Sequence, residues 1–403
     1  MYALSWAATA LLALTVFSCC TWAIQGVALF RVRRRPIPAP DSYPAISVLK
    51  PMAGYDDDLV ENLESHLALD YPGEYELVLG VRDENDSAYP VAKAFAEKYA
   101  HRGVRLVLQE GEPGFNPKVN QLITLTRHAK HEVIALTDAN VRVPKHWLRE
   151  NAAALAQPGI GLSTNIFAGA EEESIGAAFD HMTLASFCAA SMATAEAWGL
   201  NLIVGKSLAL SKTTLAKIGG WEEVKDLLAE DQRLGFRLKQ AQLRTRACPT
   251  FVENVQRKRT VAQFWDRYSR WAMLRFRVIP GFWLEPLLIP TIWALGFLLF
   301  EPSLLGLGVF ALASAWNAVF TDVCSRWTRG RGMALKYVLL TPVRDVLMFA
   351  SWVRGTTLRT VNWRGNVLRV GKNTLLSREG VSLDTPVPAA PEAARQQSSP
   401  AIS

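Results

Sequence analysis

Val133-Ile134-Ala135-Leu136-Thr137-Asp138-Ala139-Asn140 is a short apolar, β-favouring run that stops at an acid. The same pattern occurs upstream, where Tyr75–Val81 leads to Asp83, and Ile46-Ser47-Val48-Leu49 and Val104–Leu108 supply two more such runs. Helical stretches separate them, at about Asp58–Leu69, Ala88–Tyr99 and 118–129. This alternation predicts an α/β domain whose mainly parallel sheet is covered by helices on both faces. Ligands of such sheets bind beyond the carboxyl ends of the strands, which is where Asp83 and Asp138 fall. No GxGxxG follows the first strand, and the chain contains neither GxxxxGK[ST] nor GxSxG. The dinucleotide, P-loop and serine-hydrolase readings are therefore unsupported.

Outward from this region the composition changes. Of 403 residues, 50% are apolar, and the apolar excess sits in the first 30 residues and in 278–353. The domain expectation is an N-terminal transmembrane anchor over 1–31 and a soluble domain over 45–275. A C-terminal membrane region over 278–353 and a disordered Pro/Ala/Ser/Gln-rich tail over 380–403 complete it. The net charge of +7 does not spread over a groove. Arg31, Arg33, Arg34 and Arg35 follow the first apolar run, and Arg326, Arg329, Arg331 and Lys336 follow a later one. That placement fits anionic headgroups and the positive-inside rule, not nucleic acid. Cys19, Cys20, Cys188, Cys248 and Cys324 show no metal or disulfide spacing, in keeping with a reducing compartment.

Residues 1–30 carry no charged side chain. A cleaved signal peptide would place positive charge before a shorter apolar run, so an uncleaved anchor is expected. The arginines after it place the middle domain in the cytoplasm, and the chain is read as an integral protein of a bacterial inner membrane. Val278–Phe300, the loop Glu301-Pro302-Ser303 and Leu304–Phe320 read as a helical hairpin. Tyr337–Val353 contains Arg344 and Asp345, adjacent on a helix and thus too close to face each other. Charges are costly inside a span, so a third span and an interfacial or re-entrant helix both remain open there.

The segments with chemical character are Val81-Arg82-Asp83, Thr137-Asp138-Ala139-Asn140, Ala229-Glu230-Asp231-Gln232 and Arg267-Tyr268-Ser269-Arg270-Trp271. In that order they resemble the D, DxD-like, (E)D and (Q/R)xxRW series of inverting family 2 and 21 type glycosyltransferases. The chain looks most like the ceramide glucosyltransferase family, from about residue 45 to 375. Ser47-Val48-Leu49-Lys50-Pro51, Leu69-Asp70-Tyr71-Pro72, Asn116-Pro117-Lys118-Val119-Asn120 and Trp363-Arg364-Gly365 belong to the resemblance. It implies a GT-A-like domain that takes a hexose, with glucose as first choice, from a UDP-sugar to the hydroxyl of a ceramide-like lipid. Diacylglycerol or a hopanoid is the alternative acceptor, and a non-catalytic nucleotide-sugar or lipid-binding homologue is the alternative class.

Residue types give these positions their expected roles. Asp83 would accept hydrogen bonds from the uracil or ribose; the competing reading is a helix cap or solvated loop acid. Asp138 and Asn140 would hold Mg²⁺ or Mn²⁺ against the diphosphate, with capping of a helix near Pro144 as the competing reading. Asp231 is the expected general base, near the start of a helix over roughly Ala229–Gln242, with Glu230 beside it. Arg267 and Arg270 share a helix face suited to a diphosphate, and Trp271 would stack on a sugar or line the acceptor's path. Membrane-interface anchoring competes with that role. Lys118, Asn120 and Pro51 are expected at the donor, with Lys50 and Pro51 beside the base. The apolar stretch 183–204 reads either as an interfacial helix or as a core helix.

Overall fold

A computed structural model of the chain describes residues 5–363 and 366–378. The stretch 380–403 and the Arg364-Gly365 pair lie outside the described residues.

The core is one eight-stranded sheet. Its first half runs β3 (Val104–Leu108), β2 (Tyr75–Val81), β1 (Ile46–Pro51) and β4 (Val133–Thr137), all parallel. The inner three, β2, β1 and β4, are short, apolar and almost wholly buried, as strands covered on both faces must be, while β3 at the edge is only partly buried. Their carboxyl ends share one edge, which gathers Pro51, Asp83 and Asp138. The second half departs from the parallel pattern. There β7 (Ser207–Ser211) runs antiparallel to β4 and to β6 (Ile160–Ala170). Next, β8 (Arg244–Val255) lies parallel to β6, and β5 (Val141–Arg142) closes the edge antiparallel to it. The sheet is therefore mixed, with parallel order where the strand–helix alternation of the sequence is regular.

Two helices, Trp6–Arg33 and Leu304–Arg329, are long and apolar enough to cross a membrane. Ser5 caps the first by accepting a hydrogen bond from the Ala8 N–H. The outgoing arm of the expected hairpin is broken. Val261–Val278 ends before a 3₁₀ turn, Phe282–Leu288, which bends by 74° into Pro290–Phe300. Pro286 and Pro290 lack the N–H that a continuous helix would need, which accounts for the break. The Trp22 indole donates to the Leu288 carbonyl and ties the bend to the anchor helix.

The helix Thr341–Thr357 buries Arg344 and Asp345, which do pair, at 2.7 Å. Arginine is long enough to fold back one residue, so the expectation that the two could not meet fails. Asn317 of the long apolar helix and Ser186 accept further hydrogen bonds from Arg344, at 3.1 Å each. This helix also lies directly against Val261–Val278, since a Cβ on Gly355 would come within 2.5 Å of Ala272. Residues 183–204 divide into a π-helix, Leu184–Cys188, which packs against Leu304–Arg329, and an α-helix, Ala189–Ala197, which packs against the anchor. Much of this stretch is thus core, while Trp198 and Leu200 beyond it are exposed.

Candidate active site

Asp138 follows β4 directly, and the chain turns back at once into β5. Its backbone N–H donates to the Lys206 carbonyl at 3.3 Å, continuing the β4–β7 register that pairs Thr137 with Ser207. The next helix, Trp147–Leu155, begins too far along for Asp138 to cap it. Its carboxylate instead carries two lysines, with Lys118 Nζ 2.9 Å from Oδ1 and Lys206 Nζ 2.9 Å from Oδ2. Despite burial, these charges hold the Asp138 carboxyl well below the ordinary range. Lys206 Nζ also donates to Asn140 Oδ1 at 2.9 Å.

Lys118 stands in the first turn of the helix Pro117–His128, which Asn116 caps by accepting from the Lys118 and Val119 N–H groups. Besides Asp138 its ammonium meets Glu230 Oε1 at 3.5 Å and donates to the Gly205 carbonyl at 2.6 Å. Although burial opposes it, the surrounding carboxylates raise the Lys118 pKa above its usual value, so it stays charged.

The helix Glu230–Gln240 starts with two acids that differ in environment. Glu230 is buried, hydrogen-bonded by Asn116 and faced by Lys118. Burial pushes its carboxyl up to about 7, against the pull of Lys118. Asp231 is partly accessible; its Oδ2 accepts from the Gly205 N–H at 2.9 Å and its Oδ1 from the Gln232 N–H at 2.8 Å. Burial also raises the Asp231 pKa, and only in part do those N–H groups offset it. The loop 198–206 is pressed onto this helix at Gly235, where a Cβ would come within 2.1 Å of the Asn201 carbonyl oxygen. That contact sets Gly205 against Asp231. From the other side, Thr374 of the C-terminal three-stranded sheet region bonds the backbone of Leu228 and Ala229.

Arg267 and Arg270 differ in their surroundings. Arg267 is buried and tied to the fully buried Asp180 at 3.0 Å, and its guanidinium lies 4.5 Å from the Trp271 ring centroid. Three residues of helix turn them about 60° apart, so one faces the interior and the other the rim. Arg270 is half-buried and has no hydrogen bond or ion pair among the described residues. Burial, then the neighbouring Arg267 and Arg259, lowers its pKa to about 10, which leaves it cationic at neutral pH.

The remaining expected residues divide. Asp83 sits half-exposed at the end of β2 and accepts from the Asn85 N–H at 2.8 Å, a local turn and not a helix cap. Asn120 is buried, and both ends of its amide bond Gly114, so it shapes the loop before Pro117. Pro51 is buried at the end of β1. Lys50 does not flank a base: its ammonium holds Thr137 Oγ1 and the carbonyls of Asp138 and Val141 from behind. Asp180 and the cation contacts of Lys206 were not foreseen. Asp180 lies in an apolar helix with no motif around it, but a lone acid among apolar residues was itself a signal.

Asp138 and Asn140 therefore converge on one positive point. An oxygen pair of this kind, completed by phosphate oxygens, suits Mg²⁺ or Mn²⁺. The protein alone builds no cage, because no group of three His, Cys, Asp or Glu side chains gathers among the described residues.

This constellation of Asp138 and Asn140 after a strand, Asp231 at a helix start and an Arg-Trp helix coincides with a family match. A model of glycosyl transferase family 21 covers residues 7–376. The chain belongs to that family. It is 24% identical to ceramide glucosyltransferase 3 of Caenorhabditis elegans over 88% of this chain and 80% of the relative. It is 28% identical to ceramide glucosyltransferase 1 of the same organism, over 62% of this chain and 54% of that one. The fold matches a mannosyltransferase of Pyrobaculum calidifontis, PcManGT, solved with GDP-mannose and Mn²⁺. There the TM-score is 0.51 at 18% identity, covering 86% of this chain and 99% of that one. The family 21 chain thus has a GT-A-like glycosyltransferase fold carrying apolar helices long enough to span a bilayer.

Proposed function

We propose that this glycosyltransferase moves a hexose, glucose by the names of its relatives, from a UDP-sugar to the hydroxyl of a ceramide-like membrane lipid. The observation that carries the reading is the division of labour between Glu230 and Asp231. Lys118 and Asn116 engage Glu230, whereas Asp231 is partly accessible and held by two backbone N–H groups. A carboxylate whose pKa burial raises is a stronger base once ionised and is suited to take a hydroxyl proton.

In this reading Asp231 accepts the proton of the lipid hydroxyl as the oxygen attacks the anomeric carbon. The bond from that carbon to the diphosphate breaks, its electron pair leaves with UDP, and the anomeric configuration inverts. Asp138 and Asn140 would hold Mg²⁺ or Mn²⁺, which when bound supplies positive charge beside the departing diphosphate. Arg270, cationic and with no hydrogen bond or ion pair among the described residues, grips the diphosphate. Trp271 lines the acceptor side, and Asp83 meets the nucleoside. The arginines after Trp6–Arg33 favour a cytoplasmic catalytic domain. Diacylglycerol and hopanoid acceptors, which also present a hydroxyl, are the second reading. Purified full-length protein given a panel of UDP-sugars and lipids, with products read by mass spectrometry, tests the assignment. Hexosylated ceramide is expected, and UDP release that does not depend on any lipid would refute it.

A further inference from the structure

The ammonium of Lys206 occupies the point where a cation bridging Asp138 and Asn140 would sit. Its Nζ lies 2.9 Å from Asp138 Oδ2 and 2.9 Å from Asn140 Oδ1. This is not a wandering surface lysine. Its backbone carbonyl accepts from the Asp138 N–H, its side chain is only 15% exposed, and the residue after it pairs with Thr137 in the sheet. The sheet register itself therefore sets Lys206 opposite Asp138 and Asn140. Lys118 holds the other Asp138 oxygen, so two ammoniums together equal the formal charge of one divalent ion.

We propose that Lys206 is a resident cation that competes with a divalent metal ion for Asp138 and Asn140, and that it turns toward the donor diphosphate when displaced. The inference rests on the donor-site reading above. An ammonium and a metal ion cannot share the same two oxygens, because the metal needs them at about 2.0–2.2 Å while Nζ already fills the space between them. Metal binding must therefore displace a paired, largely buried charge, and metal affinity is lower than the oxygen set alone would give. Once displaced, a flexible lysine at the mouth of the site is a point charge suited to phosphate.

Mn²⁺ titration of the full-length protein in detergent, followed by electron paramagnetic resonance without nucleotide, tests this. Lys206→Met should bind Mn²⁺ at least tenfold more tightly than wild type, while Lys206→Arg, which keeps the charge, should not. Unchanged or weaker Mn²⁺ binding by Lys206→Met that still binds UDP would overturn the proposal, as would failure of both proteins to bind Mn²⁺. A second measurement needs no variant. Reductive methylation of wild type, read by peptide mass spectrometry, should label Lys206 several-fold more once Mn²⁺ saturates, and unchanged labelling would contradict the exchange. Neither arm reads sugar transfer, so failure of the lipid-glycosylation reading leaves both results interpretable.

Discussion

Asp180 and Arg267 form a buried ion pair at 3.0 Å, and through it an apolar helix orients the Arg-Trp segment. Arg259 stands 3.7 Å from the same carboxylate, so one acid serves two guanidiniums. Neutralising it would leave Arg267 and Arg259 buried together, and breaking a buried pair costs about 3–5 kcal/mol. Asp180→Asn should lower the melting temperature and, because Arg267 stacks on Trp271, reduce kcat at least tenfold. Its KM for the donor should change little. Wild-type kcat in a destabilised Asp180→Asn protein would show that the pair serves stability alone.

Arg270 carries a different expectation. A charge-assisted contact to a leaving diphosphate is worth about 1.5–3 kcal/mol, or roughly 10- to 150-fold. Arg270→Ala should weaken UDP binding by an amount in that range, with little loss of stability, because no described partner is orphaned. Isothermal titration with UDP checks this, and equal affinity of variant and wild type would remove Arg270 from the donor site.

The pH dependence follows from the raised carboxyls of Glu230 and Asp231. Base catalysis needs Asp231 ionised, so kcat/KM should rise with pH through a value above the ordinary aspartate range. Below about 7 Glu230 is itself mostly protonated, so Glu230→Gln should leave that acid limb in place. A second effect concerns stability. The folded-state pKa of Glu230, about 7, lies above its usual 4.5, so the native state holds the extra proton between those values. Stability should therefore fall as pH rises from 4.5 to 7, and Glu230→Gln should flatten that slope in urea titrations.

Arg344 and Asp345 predict a purely structural phenotype. Asn317, Ser186 and Asp345 all lean on the Arg344 guanidinium, between the helices Leu304–Arg329 and Thr341–Thr357 and the π-helix. Arg344→Ala leaves a buried carboxylate and should cost about 3–5 kcal/mol. Replacing both residues by leucine should be far milder, and thermal unfolding in detergent separates the two outcomes.

Much of this was legible in the sequence, for identifiable reasons. The parallel half of the sheet follows from strict strand–helix alternation, and strand ends placed Asp83 and Asp138 on one edge. Asp231 and Arg270 were visible as members of an ordered series. The mixed half was not, because β6, β7 and β8 pair across long connections that carry no local periodicity. Nor could spacing separate Arg267 from Arg270, since their partners, Asp180 and the open rim, are set by tertiary packing. Lys50 was misplaced because a lysine at a strand end looks solvent-facing until the turn it supports is seen. The bend at Phe282–Leu288 was foreshadowed by Pro286 and Pro290 yet hidden within an unbroken apolar run.

Base-assisted transfer from a nucleotide sugar to a lipid by Asp231 is tested by comparing wild type and Asp231→Asn in detergent with labelled UDP-glucose and ceramide, reading UDP release and glycolipid together. Wild type should show lipid-dependent release and hexosylceramide, and the variant about a 10²–10⁴-fold slower reaction with near-normal UDP binding. Near-wild-type turnover by Asp231→Asn would contradict it.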